Sequence, residues 1–243
     1  MKMLTFARRN AREILRDPMN LAFGLGFPIV LMLLLSAIQS HVPVPIFEIE
    51  HLAPGIAVFG LSFMTLFSAT ILAKDKASSL LHRLYTTPLS ALDFILGYTL
   101  PILPIAVGQS LVCFGFAIVL GLRFSPEVLL AVVLMIPSAL LYTALGLLCG
   151  SLFTDKQVGG ICGALLTNLT AWLSGAWFDL ELVGGVFGKI AYALPFVHAV
   201  EMERAVLAGN LGAVPSHLVW VAAYAVCASA AAVWAFTAQM KRQ

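Results

Sequence analysis

Charge is what this chain has least of. Only 11% of its 243 residues are Asp, Glu, Lys or Arg, against 60% hydrophobic, where a soluble domain carries roughly 25% charged residues. That shortage excludes an ordinary water-soluble fold. Strict apolar-polar alternation is missing too, which excludes a lipid-facing β-barrel and leaves helices as the spanning element. No G-x-x-x-x-G-K-[ST] loop occurs, so the chain lacks the backbone cradle and lysine that hold nucleotide phosphates and is not expected to be an enzyme on ATP. The four cysteines have no C-x-x-C spacing and fall within apolar stretches, as packing residues do; no metal site and no cofactor in this chain is expected. No nucleic-acid partner is expected either.

Two further absences narrow the function. Every charged residue can be placed outside the apolar stretches or at their ends, with Asp93 at the edge of one. A proton-coupled carrier would bury a carboxylate or histidine in its pathway, and none is evident. A sodium site built from backbone carbonyls stays open, so a channel or ion-coupled carrier remains the alternative reading. Ser174-Gly175 and His217 supply residue types of an intramembrane serine protease. The glycine such a site carries two residues before its serine is missing, however, and His217 lies at the edge of an apolar stretch. Ser174 is better read as bonding a local carbonyl.

What is present is apolar length. Stretches at 21–38, 53–72, 92–122, 128–153, 158–178 and 218–237 each approach or exceed the roughly 20 helical residues that cross a hydrocarbon core. The fold class expected is an all-α membrane protein of six transmembrane helices in a single transmembrane domain, 1–243. Lys2, Arg8, Arg9, Arg12, Arg16, Lys74, Lys76, Arg83, Lys156, Lys241 and Arg242 then share one side, and Arg123, Lys189 and Arg204 the other. That asymmetry predicts cytoplasmic N- and C-termini in a multi-pass protein of the cell membrane.

Three segments do not fit simple crossings. Residues 1–18 predict an interfacial helix, with Leu4, Ala7, Ala11, Ile14 and Leu15 near one face and arginines on others; Asp17-Pro18 ends it. Pro101 and Pro104 predict a kink in the third stretch. Segment 179–216 is too apolar for a free loop and too charged for a span. Two short helices parted near Leu194-Pro195, partly embedded from the outer face, fit it best. Gly146 with Gly150, and Gly159 with Gly163, have the spacing that allows close helix approach.

The most distinctive stretch is 74–90. Lys74, Asp75 and Lys76 lead into a short amphipathic pattern in which Leu80, Leu81, Leu84 and Tyr85 share a face, with Arg83 among the polar remainder, and Thr87-Pro88 then turns the chain. Such a helix could dock into a groove on another protein, or the segment could be a basic loop that fixes topology.

At these residues the chain resembles the ABC type-2 transporter permeases. The residues that carry the likeness are Lys74-Asp75-Lys76, Arg83-Leu84, Thr87-Pro88-Leu89-Ser90 and Phe94-Ile95-Leu96-Gly97; Ser79 stands where glycine is common and His82 where an acidic residue is frequent. "RNAREILRDPMNLAFGLGFPIVLMLLL" at 9–35 looks like that family's interfacial helix and first span. "LSGAWFDLE", Leu194-Pro195 and Glu203-Arg204 look like its fifth span and outer region. The resemblance implies a half-transporter that pairs with a second permease subunit, as homodimer or heterodimer, among membrane lipid. It also implies a cytoplasmic ATP-binding cassette subunit that would carry ATP and Mg. By the same resemblance 74–90 is the coupling segment, with Lys74, Asp75, Lys76, Leu80, Leu81, Arg83, Leu84, Tyr85 and Pro88 facing that subunit. The substrate path would run between permease subunits past Phe63, Thr65, Phe67, Asn168 and Trp172, which suits a drug-like, lipid-like or glycan-linked cargo moved outward. Helix packing is the other reading of each of those five residues.

Overall fold

The computed structural model describes residues 2–42, 47–78, 90–178 and 180–240. The chain opens with α1 (Lys2–Leu15). Asp17 then caps α2 (Pro18–Gln39), its side chain accepting from the Asn20 backbone N–H at 3.2 Å, and Pro18 fills the first helical position, where a missing N–H costs nothing. Next come α3 (Ile49–Gly60) and α4 (Ser62–Ala77), joined at Leu61, whose own backbone is helical. Ser90 and Asp93 form a reciprocal cap at the start of α5 (Ala91–Val119). The chain continues through α6 (Pro126–Leu152), then α7 (Asp155–Val158), a π-helix (Gly159–Leu166) and α8 (Thr167–Leu173). It ends with α9 (Gly185–Ala193), α10 (Pro195–Leu207) and α11 (Val214–Met240).

Among the described residues, five helices are long and apolar enough to cross a membrane: Pro18–Gln39, Ile49–Ala77, Ala91–Val119, Pro126–Leu152 and Val214–Gln239. The stretch expected as the fifth of six spans is helical but divided. Its middle winds as a π-helix, and the Thr167 hydroxyl donates five residues back to the Cys162 carbonyl at 2.9 Å. α5 runs unbroken as helix through Pro101 and Pro104.

The core is organised around α6, against which α11, α4 and α5 pack; α10 packs on α11, α6 and α3. Gly146 and Gly150 are what let α4 lie so close. A Cβ at Gly146 would sit 2.0 Å from the Ser68 hydroxyl, and one at Gly150 2.7 Å from the Ala69 carbonyl. The proximity lets Thr65 donate to the Tyr142 carbonyl at 2.8 Å and Ser68 to the Thr143 carbonyl at 3.2 Å, bonds of about 0.6 kcal/mol each between membrane helices. This glycine pair therefore serves packing within the chain. A Cβ at Gly159 would meet nothing.

The buried face of α1 differs from the expected one. Phe6, Ala7, Asn10 and Ile14 point inward, whereas Leu4 and Leu15 are 60% and 64% exposed. Phe6 decides the rotation, because its ring makes edge-on contacts with Phe94 and Tyr98 of α5 at 5.5 and 5.0 Å, each worth about 1 kcal/mol beyond area burial. Gly97 leaves the space that ring fills.

Candidate functional site

The cluster Lys74-Asp75-Lys76 forms the last turn of α4, and each side chain goes a different way. Asp75 is 2% exposed. Its carboxylate receives both guanidinium nitrogens of Arg9, at 2.5 and 2.8 Å, and the Tyr98 hydroxyl at 2.8 Å. A carboxylate this deeply desolvated needs such a set of charge-assisted donors to stay in place. Arg9 also bonds Asn10 at 2.9 Å and pairs with Glu13 at 2.6 Å, while the buried Asn10 amide donates to the Gly97 carbonyl at 3.1 Å. One aspartate thus ties the end of α4 to α1 and α5.

Lys76 reaches the opposite neighbour. Its ammonium donates to the carbonyls of Gly150, Ser151 and Phe153 at 3.0, 2.8 and 2.7 Å. Those groups are the unsatisfied carbonyl end of α6, where a cation is favoured by both hydrogen bonding and the helix dipole. The Gln239 amide of α11 donates to the same Ser151 carbonyl. Lys74 stays half-exposed, 4.0 Å from Asp17. The other residues expected to couple, Leu80, Leu81, Arg83, Leu84, Tyr85 and Pro88, lie outside the described residues.

The five expected path residues do not gather. Thr65 is buried against α6 by its bond to Tyr142, and Phe67 is 3% exposed beside Gly24 of α2. Phe63 is half-buried, with Phe27 and Phe59 at 5.9 and 6.1 Å. Asn168 and Trp172 are exposed one helical turn apart, and the Asn168 amide donates to the Ala164 carbonyl of its own helix at 2.8 Å.

The far end of the bundle holds groups that sequence reasoning missed. A cavity of about 500 Å³ opens between the starts of α3 and α6 and the end of α10, lined by Glu48, Glu50, His51, Arg123, Glu127 and Arg204. Arg204 reaches across three elements, to Glu201 at 2.9 Å, the Gly175 carbonyl at 2.8 Å and the His51 carbonyl at 3.3 Å. Gly175 adopts φ +64° in that turn, a region closed to most side chains.

Beside Arg204, Glu203 is 0% exposed, and neither carboxyl oxygen has a hydrogen-bond partner among the described residues. Burial raises its pKa well above the ordinary glutamate value, which favours the neutral form. Sequence reasoning found no carboxylate or histidine in the apolar stretches; Glu203 lies outside them, on α10, and its burial was not read from the sequence. His198, also on α10, is 8% exposed and hydrogen-bonded to His217 of α11 at 2.9 Å.

A polytopic helical membrane protein whose second crossing ends in an internally braced polar turn is the architecture these observations define. The chain belongs to the ABC-2 type transporter family, whose profile matches residues 1–208. It is a membrane permease component of an ABC transporter, a family whose permeases associate with an ATP-binding cassette partner. α11 follows the matched region. Among curated proteins none matches the chain.

Proposed function

We propose that this permease moves an amphipathic cargo, drug-like, lipid-like or glycan-linked, outward across the cell membrane. Two six-span subunits pair, and two cytoplasmic ATP-binding subunits, carrying ATP and Mg, drive the cycle through segment 74–90. In this reading residues 155–173 supply the fifth crossing, both termini face the cytoplasm, and α9 and α10 cap the outer end. The charge asymmetry supports that orientation: the cytoplasmic side would carry most of the lysines and arginines.

The observation that carries the proposal is the bracing of the end of α4. A lever is useful only if its base does not yield. Here the first residues of that segment join α1 and α5 through Asp75 and α6 through Lys76. Force on the segment is then delivered to several helices together. ATP binding would shift the equilibrium between inward- and outward-facing states only if the partner binds the two states with different free energies.

The test is Leu84→Asp in the assembled transporter. ATP hydrolysis is expected to continue while substrate export falls at least about tenfold, because a charge on the apolar docking face removes the groove contact. Normal coupled export by that variant overturns the docking role.

Glu203 favours the ion-coupled carrier as a second reading, since a buried carboxyl without a partner is what proton-coupled carriers use. Uphill transport by the reconstituted chain without nucleotide would select it.

A further inference from the structure

His198 and His217 meet through their Nδ1 atoms at 2.9 Å. The other nitrogen of His198, Nε2, lies 3.0 Å from the Tyr192 carbonyl. A carbonyl can only accept, so Nε2 carries a hydrogen. Neutral His198 therefore has a bare Nδ1, and the hydrogen in the contact belongs to His217. The tautomers of both rings follow from that one carbonyl.

This arrangement has a definite proton capacity. A single added proton still leaves one donor and one acceptor in the contact, so the bond persists and becomes charge-assisted. A second proton leaves the contact without an acceptor. The contact would then set N–H against N–H between two cations, and it cannot persist.

We propose that His198 and His217 form a proton-operated clasp that fastens α10 to α11 and lets go when the compartment bathing that end of the bundle is acidified. The clasp joins three elements: α9 contributes the Tyr192 carbonyl, α10 His198 and α11 His217, and the Tyr224 hydroxyl of α11 also donates to the Ala193 carbonyl of α9 at 2.7 Å. Trp220, one turn beyond His217, stacks on His198 with centroids 4.8 Å apart and planes 15° from parallel, and Tyr224 stacks on Trp220 in turn. An imidazolium is favoured over an indole face. A protonated His198 would keep its stack on Trp220 while losing the bond to His217.

The groups acting on His198 are few. Burial lowers its pKa, the Tyr192 carbonyl raises it, His217 lowers it and Glu201, one turn along α10, raises it. α6 and α3, which also pack on α10, carry Tyr142, Glu127, Glu50 and His51, and α9 carries Lys189; none of these acts on the ring. Since the folded value is depressed, the stabilisation is present above the ordinary histidine value and is lost as pH falls through the folded one. The clasp does not depend on the transport reading or on which side of the membrane faces out.

Hydrogen–deuterium exchange of the full chain in lipid nanodiscs, at labelling times matched for intrinsic rate, tests it between about pH 8 and about pH 5. Exchange in α10 is expected to rise about fivefold on acidification, the effect of losing one buried hydrogen bond. His217→Gln is the second arm, because an amide can offer either its N–H or its carbonyl to His198 and does not titrate. A pH dependence that disappears in H217Q supports the clasp, whether protection is then kept or lost throughout. Unchanged wild-type protection over this range, or the same acid-induced loss in H217Q, overturns it.

Discussion

The two ends of this bundle bury polar groups by opposite means. At the α4 end, Asp75 is enclosed with donors that match it, and Lys76 is enclosed with carbonyls that match it. At the α10 end, Glu203 is enclosed with no hydrogen-bond partner among the described residues and its pKa is raised by burial, while His198 shares a single hydrogen with another histidine. The first strategy fixes charge and holds helices rigidly; removing one member strands the others. The second leaves buried titratable groups without a fixed counter-charge, so it is the strategy more sensitive to pH.

That contrast can be broken in order of expected effect. Asp75→Ala should be the most damaging change, at about 3 kcal/mol, because Arg9 and Tyr98 lose their common acceptor while Arg9 retains some access to water. Its signature is a lowered unfolding temperature in detergent together with protease cleavage within α1. If α1 stays protected, the brace is not what holds it. Lys76→Met keeps most of the stem and removes the ammonium, leaving three carbonyls to find other donors; about 1 to 2 kcal/mol is expected from the lost capping, read as faster exchange of the last turn of α6.

Glu203→Gln probes the other strategy and should raise stability near neutral pH, since the amide does not titrate, whereas the buried carboxyl resists an ionisation that is free to occur once the chain unfolds. The sign of its pH effect is definite. A raised folded pKa gives stability that is full below the ordinary glutamate value and is lost as pH rises through the folded one. Wild-type unfolding temperature should therefore decline on the alkaline side, and E203Q should flatten that decline. An identical alkaline slope in both proteins would mean that Glu203 is hydrated after all. Asn168→Ala is expected to be the smallest change, within about 0.5 kcal/mol, because the exposed amide bonds only its own helix. A substrate-specific loss of export with unchanged unfolding temperature would place it in the path.

Much of the architecture was legible because lipid imposes a coarse rule. A crossing must be long and apolar, so its presence shows in any window of the chain. The ends of helices were nearly as plain. Asp17-Pro18 and Leu194-Pro195 mark helix starts because proline suits the first helical position and biases the residue before it away from helix, whereas Pro101 and Pro104 lie inside α5. The fifth stretch was harder: its composition reads as one span, and nothing in its residue types announces the π-helical turn at Gly159–Leu166. The glycine pairs looked alike as sequence. Gly146 and Gly150 face α4, whereas Gly159 faces open space.

The candidate site was legible in position and not in wiring. Lys74, Asp75 and Lys76 stood out as charge in an apolar setting, and similarity to the family assigned them to a partner subunit. Asp75 and Lys76 are instead engaged within the chain, with partners at sequence separations of 66 for Arg9 and 75 for Ser151. Arg9 read as one more basic residue of a topology-fixing flank. Glu203 and His198 lay in a segment read as two short, partly embedded helices, and no local pattern distinguishes a carboxyl that faces water from one enclosed by neighbouring helices.

The amino-acid order alone decided that this polypeptide lives in a bilayer, roughly where it crosses, and that it carries no phosphate-binding loop. Those properties follow from transfer free energies and backbone sterics, which act over one turn or one crossing. Which polar side chains brace the lever and which wait unpaired at the far end was decided only when distant helices came together. Hydrogen bonds and ion pairs depend on direction and on local dielectric, and neither exists until the neighbours are in place.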